Sequence, residues 1–434
     1  MKNTKKSTEK KRNASSVLRW EKLDNTAHLF PSIAGENMTN VYRISVTLNE
    51  EINPSLLKEA LEILIPKIDG FNVRLRNGFF WCYFEENGKK APPVNEETNF
   101  PCRFMRPNKN NSYLFRVTYY QCRINLEVFH VLTDGMGGIN FLKELAYQYL
   151  RLAHEDLAAL GDHLALGTSL NREDSFLKHF RQSRPSGFNN KKSYHIKLEK
   201  LSKGELGLIH GYMNVASLKA ASKKYSASIN EYLIAVFIDS TYRECLNGMP
   251  SKKPIRVAVP VNLRPYFNSQ TTKNFFVMVS AEFHPVENDY SFEDIIEITK
   301  KSLRDQINKE NLENLFSYSV SNQKMMFLRI VPLFIKNIIM KLVYEQSAMA
   351  NTTTITNIGN IQVDEPYKKY IRQFMACISS SKGQYLKGTI CSYLDTLVFT
   401  FSSGYIDTRI QRHFFSQIAE DGVDVFIETN GVYE

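Results

Sequence analysis

The chain has 434 residues, 43% apolar and 23% charged, proportions of an ordinary globular protein long enough for two lobes. The formal charge is +10, but half of it sits in residues 1–13, where Lys2, Lys5, Lys6, Lys10, Lys11 and Arg12 face only Glu9; the remainder is too mild to point to nucleic acid. The six cysteines form neither a C-x-x-C pair nor a metal spacing, the first thirty residues lack the apolar core of a signal peptide, and the most apolar run is broken by charges and Pro332, so a cytoplasmic protein without a metal site is expected.

In chain order, residues 1–19 read as a disordered, solvated tail, for which a weak peripheral contact with an anionic membrane stays open. Residues 20–31 form a lead-in that packs on the body, and 40–48 alternate as a strand. Asn53-Pro54 supplies an N-cap and a proline at the first helical position, ahead of a helix that stops before Pro66. Residues 71–75 and 79–84 read as strands joined by Asn77-Gly78, a favoured hairpin pair, and 89–99 as a polar loop. Strands follow at 112–120 and 123–130.

The second of these leads into Phe129-His130-Val131-Leu132-Thr133-Asp134-Gly135-Met136-Gly137-Gly138. Ile124, Leu126 and Val128 lie on one face of a half-buried strand, Arg123, Asn125 and Glu127 on the other, and His130 falls in step with the apolar face. A glycine turn and an amphipathic helix over 138–153 come next. An imidazole at such a junction can act as a general base near neutral pH, with glycines leaving room for substrate or backbone. Taken alone, the pattern is equally that of a buried histidine bonded to backbone.

Residues 168–192 are polar and patternless, a linker or a flap. Strands are expected at 194–198, 205–214, 256–261 and 277–284, and helices at 216–225, 228–245, where Ser228 and Glu231 form a capping box, and 291–308. A helix over 326–342 places Phe327, Ile330, Phe334, Ile338 and Leu342 on one face, read as facing the core with a basic edge in solvent rather than with that basic face on a membrane. A strand ends at Gly359; others follow at 373–379, 389–393 and 397–402, then a helix over 407–419 and a strand over 423–429.

Three stretches stand in one order: His130-Val131-Leu132-Thr133-Asp134-Gly135; Val259-Pro260-Val261-Asn262-Leu263-Arg264-Pro265 with Asn274-Phe275-Phe276 behind it; and Thr356-Asn357-Ile358-Gly359. Together they resemble the coenzyme-A-dependent acyltransferases related to chloramphenicol acetyltransferase, most of all the alcohol acetyltransferase branch, over residues 20–434. Condensation domains carry a histidine where this chain has Phe129, and the Asp-Phe-Gly-Trp-Gly of the plant branch is absent. The resemblance implies an α/β fold of mixed sheets: two sandwich lobes, 20–190 and 191–434, set in a V around a tunnel, with a segment of the second lobe crossing to the first.

It further implies that His130 is the general base for transfer of an acyl group, acetyl above all, from acyl-CoA as co-substrate to an alcohol, without an acyl-enzyme and without a permanently bound cofactor. Asp134, beside Gly135, is implied to be structural, paired with Arg264. Two other readings stay in view: condensation-type transfer from an acyl carrier protein to a hydroxyl or amine, and a catalytically silent binding protein of the same fold. A monomer is expected.

Overall fold

The computed structural model describes residues 19–182, 191–324 and 330–433. Two mixed sheets organise them. The smaller runs Ile371–Ile378, Val41–Leu48, Arg123–Phe129, Phe115–Tyr120, Val94–Glu96. The larger runs Phe276–Phe283, Ile255–Asn262, Thr353–Asn360, Leu386–Tyr393, Thr396–Ser403, Gly207–Asn214, Val425–Thr429, and Thr353–Asn360 is parallel to both of its neighbours. Ile371–Ile378 follows most of the larger sheet's chain yet pairs antiparallel with Val41–Leu48, stitching the halves together. A third sheet joins Trp20–Lys22, Cys82–Glu86 and Val73–Asn77.

The cores follow the apolar periodicity. Leu57, Leu61 and Leu64 of helix Pro54–Leu64 and Leu142, Leu145 and Tyr149 of helix Gly135–Ala153 pack with Ile44, Val46, Ile124, Leu126 and Val128 of the smaller sheet. Helices Ile229–Leu246 and Arg409–Glu420 cover the larger sheet through Leu233, Phe237, Phe414 and Ile418 against Val257, Phe399 and Phe401. Local signals set the ends: the Asn53 side chain accepts from Ser55 and Leu56 N–H, and Ser228 with Glu231 closes both bonds of its capping box.

Five expectations of the fold need correction. Residues 89–99 are not all loop: Val94–Glu96 is a strand parallel to Phe115–Tyr120, at the edge of the smaller sheet. Arg123, Asn125 and Glu127 do not face solvent; Asn125 and Glu127 are fully buried, because the opposite face of the smaller sheet is covered too. Arg43 donates two bonds to Glu127 Oε1 (2.9 and 2.7 Å), Arg116 pairs with the same carboxylate, and Ser45 Oγ donates to Asn125 Oδ1 (2.7 Å), so Asn125 and Glu127 are paired within this polar face, while Arg123 Nε and Thr47 Oγ1 are buried without a partner among the described residues. The corner between Val73–Asn77 and Cys82–Glu86 takes four residues, 78–81, not two: Asn77 lies opposite Cys82 and Gly78 N–H donates to Trp81 O. No strand forms at 194–198; Tyr194 N–H bonds to Pro254 O in an irregular segment. The helix read over 326–342 runs Leu333–Ala348, and its Phe334, Ile338 and Leu342 point outward. Phe327 lies outside the described residues, as does the basic tail.

Candidate active site

Strand Arg123–Phe129 stops one residue before His130, whose N–H donates to Asn40 O (2.9 Å). The half-buried ring stacks on Phe30 (centroids 4.6 Å apart), meets Tyr42 edge-on (5.1 Å) and tilts against Phe276 (5.6 Å). Its Nδ1 lies 3.1 Å from Asn274 Oδ1. The Asn274 amide is oriented in turn: its Nδ2 donates to Asp24 Oδ2 (3.0 Å), and its backbone N–H reaches the same oxygen (3.2 Å). With the amide nitrogen committed to Asp24, Oδ1 accepts from Nδ1–H. Hydrogen bonding therefore assigns the Nδ1–H tautomer, leaving the Nε2 lone pair free. Burial lowers the His130 pKa and outweighs the opposing pull of Asp134 and Asn274, so the ring is neutral at neutral pH. Burial also raises Asp24 to about 6.

Asp134 does not touch the imidazole. It caps helix Gly135–Ala153, Oδ1 accepting from Met136 N–H (3.1 Å) and Gly137 N–H (3.3 Å). Arg264 straddles it with Nη1 on Oδ2 (2.8 Å) and Nη2 on Oδ1 (3.0 Å), and Phe275 N–H adds a bond to Oδ2 (3.0 Å). Arg264 donates further to Asn262 Oδ1 and to the carbonyls of Thr271 and Lys273. One carboxylate thus ties the helix start to the segment leading into Phe276–Phe283, the segment that also delivers Asn274 to His130.

The helix begins at Gly135, so the glycines form its first turn rather than a turn before it. A Cβ on Gly137 would lie 1.9 Å from Thr133 Oγ1 and 2.7 Å from Thr272 O, and one on Gly138 would lie 2.7 Å from the Tyr42 oxygen. Their bareness lets Thr133 bond to Thr272 O (2.5 Å) and Tyr42 to Asp134 O (2.8 Å). Gly135 has looser surroundings, with Ile358 3.8 Å from where its Cβ would be. Asn357 is exposed and accepts from Gly359 N–H at a register shift; Gly359, at φ 92°, is the position that demands glycine there.

Sequence reading missed two residues. Asp24 lies in a stretch with no periodic signal, and only its two contacts with Asn274 mark it. Lys387 is the second residue of strand Leu386–Tyr393, 8% exposed, with no acceptor in reach among the described residues. Burial pushes its pKa down to about 8. Its ammonium acts on His130 in the direction of a lower pKa. Lys387→Met is therefore expected to raise the His130 pKa and to move the acid limb of a pH–rate profile to higher pH; an unmoved limb would remove Lys387 from the site.

No family model matches the sequence, and no curated protein matches it closely. Solved structures do match. TRI101 of F. sporotrichioides, determined with coenzyme A and T-2, superposes with TM-score 0.62 at 11% identity, over 94% of this chain and 99% of that one. Polyketide synthase associated protein 5 of Mycobacterium tuberculosis gives 0.60 at 13% identity, over 92% and 96%. The condensation domain of the Monacolin K polyketide synthase MokA gives 0.58 at 10%, over 94% and 97%. The chain has the fold that these three structures share, along nearly its whole length.

Proposed function

We propose that the protein is an acyltransferase that moves an acyl group, acetyl first among candidates, from coenzyme A to an alcohol hydroxyl, with His130 as general base. The observation that carries this reading is the relay from Asp24 through Asn274 to Nδ1, which leaves Nε2 of a neutral, half-buried imidazole as the free acceptor. A neutral alcohol attacks a thioester slowly. Nε2 takes the hydroxyl proton as the oxygen bonds to the carbonyl carbon, and the tetrahedral oxyanion then collapses with cleavage of the C–S bond. The thiolate leaves with the proton returned from Nε2–H. Base catalysis of this kind contributes about 10²–10⁴-fold.

No acyl-enzyme is invoked. Cys102 and Cys377 form a buried pair with sulfurs 3.8 Å apart, Cys102 Sγ also donating to Cys377 O, and neither bonds to His130. Burial pushes the Cys102 thiol well above its ordinary value, the opposite of an activated nucleophile. In this reading Asp134 and Arg264 hold the site together and Gly135 opens the helix beside it.

The test is thiol release from acetyl-CoA in the presence of a panel of alcohols. Release that depends on the alcohol supports the proposal. Release only from a carrier-protein thioester shifts the donor, and none from either donor overturns the enzymatic reading.

A further inference from the structure

Helix Leu333–Ala348 is turned inside out. Three of its polar residues face the protein: the buried Lys336 Nζ lies 3.4 Å above the Trp81 ring and donates to Phe80 O, Asn337 Oδ1 accepts from Ser32 Oγ, and Glu345 pairs with Lys382, while Lys341, Gln346 and Ser347 are exposed. Its outward face carries Phe334, Ile335, Ile338, Ile339, Leu342 and Val343, two stripes at four-residue spacing. Phe334, Ile338 and Leu342 are 66%, 60% and 63% exposed. Phe79, 70% exposed, extends the patch from the corner that anchors the helix, where its carbonyl accepts from Leu333 N–H. Lys341 is the one charged side chain on the exposed side of this helix. Soluble surfaces scatter apolar side chains singly; a contiguous set this large marks a contact.

Charge indicates what it meets. The 18 residues before Arg19 carry six basic side chains and one acidic one. The described chain starts at the end of strand Trp20–Lys22 that lies away from this corner, where Arg19 O accepts from Glu86 N–H; Lys22, opposite Tyr83, is the strand residue nearest Trp81. An exposed apolar helix face, on a chain whose sequence also carries this basic segment, matches the two requirements of an anionic lipid surface, apolar insertion and attraction to acidic headgroups. No described helix is long and apolar enough to cross a membrane, so the contact lies on the surface. We infer that this face docks the protein on an anionic bilayer, with helix Leu333–Ala348 lying in the headgroup layer. Ser32, which bonds to this helix, belongs to helix Phe30–Ile33, whose Phe30 stacks on His130, so the docked face lies one short helix away from the candidate base.

The experiment is co-sedimentation of the full chain with phosphatidylcholine vesicles, with and without phosphatidylserine; it needs no assay of turnover. Binding is expected to the anionic vesicles, about tenfold or more above the neutral ones, and to weaken as salt rises. The triple variant Phe334→Ser, Ile338→Ser, Leu342→Ser is expected to keep its Tm, since these side chains contact solvent, and to lose about tenfold or more of that binding. Three results overturn the inference: wild type left in solution with both vesicles, a triple variant that binds as well as wild type, or a dimer, seen by sedimentation equilibrium, that the triple variant abolishes while vesicles fail to bind.

Discussion

Replacing His130 with alanine is expected to lower kcat/KM for acyl transfer by about 10²–10⁴-fold, the contribution of a positioned base. The loss should fall mainly on kcat, because the proton moves only as the transition state forms. Wild type should lose activity as pH falls through the His130 pKa, which burial holds below its ordinary 6.5, because protonation fills the Nε2 lone pair. The His130→Ala profile should lack that limb. The ring touches Phe30, Tyr42 and Phe276 yet remains partly open, so the variant should unfold close to wild type in a urea titration. A folded variant that keeps more than about a tenth of wild-type kcat/KM at neutral pH would end the base proposal.

Asp134→Ala is expected to act on the fold instead. The substitution strands a guanidinium that is 11% exposed, leaves Met136 and Gly137 N–H without their cap and orphans the Phe275 N–H. Removing one partner of a buried ion pair costs about 3–5 kcal/mol, and the cap alone accounts for ~1 of that. Arg264 keeps its bonds to Asn262, Thr271 and Lys273, which places the expected loss toward the lower end of that range. The urea midpoint should drop accordingly. Asp134→Asn keeps an acceptor for only one side of the network and should fall between wild type and alanine. A heat-stable Asp134→Ala with a defect confined to turnover would assign the carboxylate to catalysis.

Much of the architecture is written in local pattern. Helix Pro54–Leu64 announces itself by Asn53-Pro54, helix Ile229–Leu246 by its Ser228/Glu231 box, and strands such as Val41–Leu48 and Ile255–Asn262 by β-branched runs. Capping and side-chain period act within one element, so they can be read without knowing the neighbours. The inverted helix Leu333–Ala348 shows the limit. Its period reveals an apolar stripe, but a stripe does not say whether protein or something else lies against it. The buried polar face of the smaller sheet fails in the same way: alternation of Arg123, Asn125 and Glu127 with apolar residues suits a solvent face, and only Arg43 and Arg116, from neighbouring strands, supply the charges that permit burial.

The candidate site divides along the same line. The order of the His130, Arg264 and Gly359 stretches and the position of the histidine at a strand end were legible as sequence, and motif resemblance implied the Asp134–Arg264 pair; that Asp134 also caps the helix is not read there, because the sequence pattern places the helix start at Gly138. The tertiary structure alone decided that Asn274 meets Nδ1, that Asp24 turns the Asn274 amide and that Lys387 is buried without an acceptor among the described residues. Those contacts join residues separated by 144 and 250 positions. They exist because the segment before Phe276–Phe283 is pulled against the start of helix Gly135–Ala153 by Arg264 and Asp134, and no local propensity encodes an encounter at that distance.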